Sequence, residues 1–459
     1  MALEPLPWYR ELNRYHWFVL SVAALGWLFD TMDQQLFLMA RMPAMRELLP
    51  HEPGQPPAKE LLEFYPPLAT AIFLVGWAVG GVAFGILGDK IGRAKTMMLT
   101  ILVYSFFTGF SAFSVTFWDF ALWRFLTGLG VGGEFAVGVA LVAEVMPERA
   151  RPFALGMLQA LSAVGNITAA VISLSLGHLE SEAYFKDVFL FGFPLTPWRI
   201  MFVIGTGPAL LAIVIRMRLK EPERWKAAVG TASSAYRPGS YAELFGDPRW
   251  RRNALVGLTL AFAGVVGLWG VGFFSFDLIQ SVFRKKLEAQ NLNPQEISGK
   301  LAMYTGVTSI IQNIGGFFGI YAFSRITHYT GRKPAFAVSF VLATLSTVLV
   351  FSSLNDFSDV FWMIPIMGFC QLALFGGYAI YFPELFPTRL RSTGTSFCYN
   401  VGRLVAAIGP FTFGLLSSTV FSGFEEPMRW SGVCMCSIFL VGLLALPFAP
   451  ETKGKPLPE

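Results

Sequence analysis

Apolar residues in this chain fall into twelve long runs divided by short polar turns. The runs lie at about 17–40, 66–88, 96–114, 118–143, 152–177 and 198–219, then 253–283, 301–325, 334–354, 360–382, 392–420 and 429–449. Crossing the hydrocarbon of a bilayer takes about 20 apolar residues in a helix, which these runs supply. A polar stretch, 220–252, containing "RWKAAVGTASSAYRPGS", separates the sixth run from the seventh. The pattern predicts an all-α integral membrane protein of twelve transmembrane helices. Its parts are an N-terminal six-helix bundle (1–219), a cytoplasmic linker (220–252) and a C-terminal six-helix bundle with a cytoplasmic tail (253–459).

Composition agrees with lipid as the solvent. Of 459 residues 54% are hydrophobic and 14% charged, and there are 45 Phe and 12 Trp. Soluble domains carry roughly 25% charged residues. The greater share of the 35 Lys and Arg falls in turns that share a side with both ends of the chain. The positive-inside rule then predicts a multi-pass protein of the cytoplasmic (inner) membrane with both termini cytoplasmic. The N-terminal "MALEPLPWYRELNRYHW" offers no small-residue cleavage site, so no signal peptide is expected. The formal charge of +5 is spread over separate turns rather than one stripe, which argues against nucleic acid. Cys370, Cys398, Cys434 and Cys436 all lie in apolar runs and read as reduced packing residues, neither disulfides nor metal ligands.

The two halves repeat. "EVMPERAR" from Glu144 and "ELFPTRLR" from Glu384 share E-x-x-P-x-R-x-R. "IGRAK" and "TGRKP" place Gly92 and Gly331 at nearly the same offset. Two matches at equivalent turns indicate parallel structural repeats and pseudo-symmetric bundles. "RFLTGLGVGGE" (124–134) contains a formal G-x-G-x-x-G at Gly128, Gly130 and Gly133, but a dinucleotide site needs a preceding strand. In an apolar run these glycines are expected to let helices pack closely. With no nucleophile–base set, metal cluster or phosphate loop in view, an enzyme is not expected, and neither is a cofactor.

"GILGDKIGRAK" (85–95) resembles the signature between helices two and three of the major facilitator superfamily. Its echo in the second half departs from it, with His328 in place of the aspartate. "KEPERWK" (220–226) and "PETKGK" (450–455) resemble the cytoplasmic tags of sugar and metabolite porters. "DTMD" (30–33), "RFLTGLGVGGE" and "NVGRLVAAIGP" (400–410) are similar to segments of aromatic-acid, sialate- and lactate-type proton symporters. The resemblance implies two six-helix bundles rocking about a central cavity, working as a monomer on a small molecule and protons.

Ionisable residues inside the apolar runs are costly and mark pathways more often than not. Asp33 and Arg124 sit at matching depths on helices one and four, since each residue rises about 1.5 Å. The resemblance implies that they form a protonation-sensitive pair, with Asp30 and Glu134 as reserve carriers. A static ion pair is the plainer alternative. Arg403 lies deep in the eleventh run with no acid within a turn, so a substrate carboxylate or an acid on another helix must face it. Gln34, Gln35, Asn166, Gln312, Asn313, Gln371, Tyr378 and Asn400 complete the central polar set; any one of them can instead simply bond between helices. At the helix ends Asp89, Arg93, Glu144, Arg149, Glu384 and Arg389 are expected to pair as a cytoplasmic gate. The function expected is proton-coupled secondary transport of a small organic anion, a carboxylate first. A sugar or neutral-metabolite porter is the alternative, and a non-transporting sensor of the same fold another. The seventh run, "VGLWGVGFF", lacks paired glutamines, which weighs against a hexose.

Overall fold

The computed structural model describes residues 7–459 apart from 53–54, 56, 182–183, 185–187, 191, 231–237, 273, 291–293 and 407. It is a bundle of twelve spans. The first half contains α1 (Arg14–Leu48), α2 (Lys59–Lys90), α3 (Arg93–Ser111), α4 (Phe117–Val145), α5 (Arg151–Ser181) and α6 (Pro197–Ile215). The second contains α7 (Pro248–Glu288), α8 (Pro294–Thr330), α9 (Arg332–Ser353), α10 (Phe357–Tyr381), α11 (391–420, in several segments) and α12 (Pro427–Phe448). A two-residue antiparallel ladder, Phe189 opposite Pro194, lies in the loop before α6.

Eight of these spans are apolar enough, by length and composition, to cross a bilayer unaided. The other four, α1, α3, α8 and α11, carry polar or broken stretches that face inward. Asp30, Asp33 and Gln34 of α1, Thr100, Ser105 and Thr108 of α3, and Thr308 and Gln312 of α8 are all buried. Large apolar side chains such as Phe64, Phe106, Trp118, Leu210, Phe318 and Leu444 point outward, as lipid contact requires.

Several helix limits differ from the apolar runs. The first helix extends well past 17–40 because Asn13 accepts from the His16 N–H and caps it a turn earlier. The sixth run is two helices, Pro197–Ile204 and Ala209–Arg218, parted at Gly205, Gly207 and Pro208. The expected linker is shorter than 220–252, since Asp247 and Pro248 start α7 early, and it contains short helices at Glu223–Gly230 and Tyr241–Gly246. Wide π turns interrupt α7 at Val266–Gly272 and α11 at Phe397–Val401. Such turns concentrate at functional sites.

The halves repeat in their contacts as well as their sequence. Gly76 and Gly80 of α2 lie against the backbone of Phe125 and Leu129, and Gly128 and Gly132 of α4 lie against that of Phe73 and Trp77. In the second half Gly315 and Gly319 of α8 face the backbone of Pro365 and Phe369 on α10. A Cβ at any of these positions would overlap the neighbouring helix, so the close crossings depend on glycine. Gly92 and Gly331, with φ of 112° and 102°, turn the chain into α3 and α9. Over each turn sits a glutamate from a polar tag. Glu221 accepts from the N–H groups of Ala94 and Lys95, and Glu451 from those of Arg332 and Lys333. Both tags thus cap the start of a helix, where an anion meets free N–H groups and the positive end of the dipole.

Candidate functional site

Both described ends of the chain lie at one face of the bundle. Arg149 pairs with Glu11 there, and Arg391 donates to the Pro458 carbonyl. At this terminal face the halves are locked together. Asp89 at the end of α2 accepts from the N–H groups of Ser392 and Thr393 and from the Thr393 hydroxyl at 2.7 Å, all at the start of α11. Arg93 binds Asp89 at 3.0 Å and Glu144 at 2.8 Å, and donates to the Thr388 carbonyl across the divide. Glu144 also holds Arg391 at 2.7 Å, with both side chains fully buried. One turn deeper Ser396 donates to the Gly81 carbonyl. Deeper still, Asn400 accepts from the Trp77 indole at 2.8 Å and donates to the Gly132 carbonyl at 3.1 Å.

This arrangement redistributes the expected gate. Asp89, Arg93 and Glu144 join the halves. Arg149 does not, being held by Glu11, and Arg389 does not, being held by Glu243 of the linker at 2.7 Å. Glu384 pairs within its own half, with Arg332 at 2.7 Å. From the second half the cation that crosses to an acid of the first is Arg391. The E-x-x-P-x-R-x-R repeat contains it, but Arg389 and Arg391 look alike in sequence. Which of them turns inward depends on the short 3-10 turn Thr388–Leu390.

Away from the terminal face a cavity of about 700 Å³ opens between the halves. Its upper wall carries Arg41, Thr70, Asp277 and Gln280, and its floor carries Trp77, Trp269 and Arg403. Beneath it a smaller chamber of about 80 Å³ is lined by Gln34, Gln35, Gln159, Asn166, Gln312 and Asn313, by Trp27, Phe375 and Tyr399, and again by Arg403. Of the residues expected to bind substrate, Gln34, Asn166, Asn313 and Arg403 line this space, and the Asn166 amide donates to Asn313 from the other half at 2.9 Å. Asn400, Tyr378 and Gln371 do not reach it. Asn400 belongs to the interlock, Tyr378 donates to the Leu260 carbonyl, and Gln371 donates to Thr347. The aromatic floor was missed in the sequence because a helix apolar on every side gives no phase to say which ring faces inward.

Arg403 is held by rings. Its guanidinium carbon stands 4.0 Å from the centre of the Trp77 ring and 4.4 Å from that of Tyr399, with Trp269 farther at 6.0 Å. One nitrogen donates to the Tyr399 hydroxyl at 2.8 Å, while Nε and Nη1 have no hydrogen-bond partner. Among the described residues no carboxylate lies within ion-pair distance of it. Ring faces attract the cation but do not neutralise it.

The acids sit behind this floor. Asp33 accepts from Thr108 at 2.8 Å and stands 3.7 Å from Arg124, too far for a hydrogen bond. Arg124 bonds Ser111 and Thr127 instead and lies over the Phe202 ring. Glu134 accepts from Thr100 through one oxygen and leaves the other unpartnered. Asp30 is fully buried with neither oxygen hydrogen-bonded. The charged groups that act on it are Glu134, Asp33 and Arg403. An anionic carboxylate left this way costs several kcal/mol.

Comparison with known proteins places this geometry. The family model described as Major Facilitator Superfamily matches residues 65–410. A cis,cis-muconate transport protein of Acinetobacter baylyi is 26% identical, over 83% of this chain and 84% of that one. A sialic acid transporter of Escherichia coli, NanX, is also 26% identical, over 86% of each. The solved structure of a proton:xylose symporter, XylE, superposes with a TM-score of 0.69 at 17% identity, covering 96% of this chain and 98% of that one.

Proposed function

Since the chain belongs to the major facilitator superfamily and is a multi-pass membrane transporter, we propose that it carries a small organic anion, a carboxylate, by alternating access and in symport with protons. The observation that carries this reading is Arg403, a half-buried cation on the wall of the central chamber whose Nε and Nη1 have no hydrogen-bond partner and which, among the described residues, has no carboxylate within 4.0 Å. A guanidinium binds a carboxylate through two parallel hydrogen bonds. The surrounding rings favour a planar, unsaturated acid, and the relatives named for muconate and sialic acid are consistent with a carboxylate. The amides of Gln34, Gln159, Asn166 and Asn313 would take hydroxyl or carbonyl groups of the same molecule. They also favour a neutral sugar, but that reading leaves the Nε and Nη1 of Arg403 without an acceptor.

Proton coupling follows from charge. Three acids and two arginines share the buried core, and an entering anion adds a further negative charge. A proton entering with it, carried by Asp30 or Glu134, keeps the buried charge constant. The loosened Asp33–Arg124 pair is proposed as the switch that senses this change. The positive-inside pattern makes the terminal face cytoplasmic, so the arrangement described is outward-facing, with Asp89, Arg93, Glu144 and Arg391 closing the inner gate of a monomer in the inner membrane.

The test is counterflow in proteoliposomes loaded with muconate, benzoate or xylose at pH 6 and pH 8. Exchange of a carboxylate, with uphill uptake only when the outside is acidic, is the expected result. Exchange of xylose alone would assign the protein to neutral substrates. Binding without exchange would make it a sensor.

A further inference from the structure

The repeat places two acid–arginine sets on the terminal face, Glu144 with Arg151 and Glu384 with Arg391. Pseudo-symmetry provides two diagonals between the halves. One is closed, Glu144 to Arg391 at 2.7 Å. The other, Glu384 to Arg151, is open. Glu384 is occupied by Arg332 at 2.7 Å and by the Thr452 hydroxyl at 2.5 Å. Arg151, only 3% exposed, gives its Nε to the Ala143 carbonyl and has no carboxylate within 4.0 Å among the described residues.

The open diagonal is a cavity of about 320 Å³. The first half lends it Arg149 and Arg151, and the second lends it His328, Arg332, Lys453 and Lys455. The carboxylates that face it are Glu148 and Glu384, and Glu384 is already paired. Arg149 is paired too, with Glu11. Among the described residues that leaves the side chains of Arg151, Lys453 and Lys455 without a carboxylate within 4.0 Å, and the Lys453 ammonium donates to the Tyr329 carbonyl. Cations from both halves thus converge on a space at the lower end of small-molecule sites.

We propose that this cavity binds a phosphate-type anion, held by Arg151 on one side and by Lys453 and Lys455 on the other. Bridging the second diagonal, it would hold the halves together as Glu144 and Arg391 do on the first. The effect on turnover rests on reading this face as a gate, whereas the binding does not. The phosphate could come from solution or from a lipid headgroup, since the chemistry of recognition is the same.

Inorganic pyrophosphate is the soluble probe, titrated by calorimetry into protein in phosphatidylcholine nanodiscs, with sodium chloride at matched ionic strength as the control. Nanodiscs containing phosphatidylglycerol, read by melting temperature, test the headgroup source. Lys453→Gln with Lys455→Gln alters only the tail and leaves the packed helices alone. Arg151→Gln is the partner variant. Each should weaken pyrophosphate binding roughly tenfold, as loss of a charged hydrogen bond does. Action of pyrophosphate alone, or of phosphatidylglycerol alone, identifies the source and supports the site if the variants abolish it. No binding beyond the chloride control from either source overturns it, as does equal binding by the parent and both variants. Binding that leaves carboxylate counterflow unslowed removes the bridging role without touching the transport reading.

Discussion

Arg403 meets aromatic faces where a structural arginine would meet an acid. Lysine at this position keeps the charge but loses the fork. Arg403→Lys should weaken carboxylate binding roughly tenfold or more by calorimetry, with the protein still monodisperse. Tight binding by that variant would return Arg403 to a packing role. The acids separate by a second measurement. If Asp30 is a carrier, Asp30→Asn abolishes uphill uptake and leaves exchange intact, and accumulation by the variant would place the carrier elsewhere. The sequence shows these ions plainly, because a charge in an apolar run stands out. It does not show that Asn400 belongs to the interlock and Gln34 to the chamber, since that depends on the rotation of each helix against its neighbours.

Among whole elements, the polar tags show how a short motif acts. Glu451 sits over Gly331 and accepts from the backbone of Arg332, Lys333 and Lys453. Burial works against its ionisation, but these N–H groups prevail and hold its carboxyl below the ordinary glutamate value of 4.5. A group depressed in the folded state adds stability above its unfolded pKa and loses it as pH falls through the folded one. The melting temperature should therefore fall faster below about pH 4.5 in the parent than in Glu451→Gln. At neutral pH that variant should lose about 0.5–2 kcal/mol, the usual worth of a helix cap. Identical acid profiles in the two proteins would show that the tag only occupies space. Helix existence was legible from apolar runs alone. The π turns in α7 and α11 were not, because hydropathy does not report the hydrogen-bond register inside a helix.

For the molecule as a whole, the two bundles, their pseudo-symmetry and the acids and arginine that join them, Asp89, Arg93 and Glu144, were visible in the repeated turns, while the choice of Arg391 over Arg389 was not. Glu144→Gln removes the charge that pairs with both Arg93 and Arg391, so it should tilt the protein toward opening at the terminal face. A cysteine placed along the interlock should then label faster in Glu144→Gln than in its parent, and equal rates would exclude a gating role. Orientation has its own check. Arg224 is exposed in the linker, and Arg224→Cys in a cysteine-free background should react with an impermeant reagent only after cells are permeabilised.

One side chain serves both ends of this machinery. The Trp77 ring lies under Arg403 at 4.0 Å, and its indole N–H is fastened to Asn400 at 2.8 Å. A guest that draws Arg403 off the ring perturbs the group holding the halves together, and parting the halves removes the ring from beneath Arg403. Free energy admits no one-way version of such a link: the factor by which occupancy loosens the interlock is the factor by which loosening it changes affinity. Trp77 is also a fluorophore, so its emission should follow occupancy and interlock opening on a single curve.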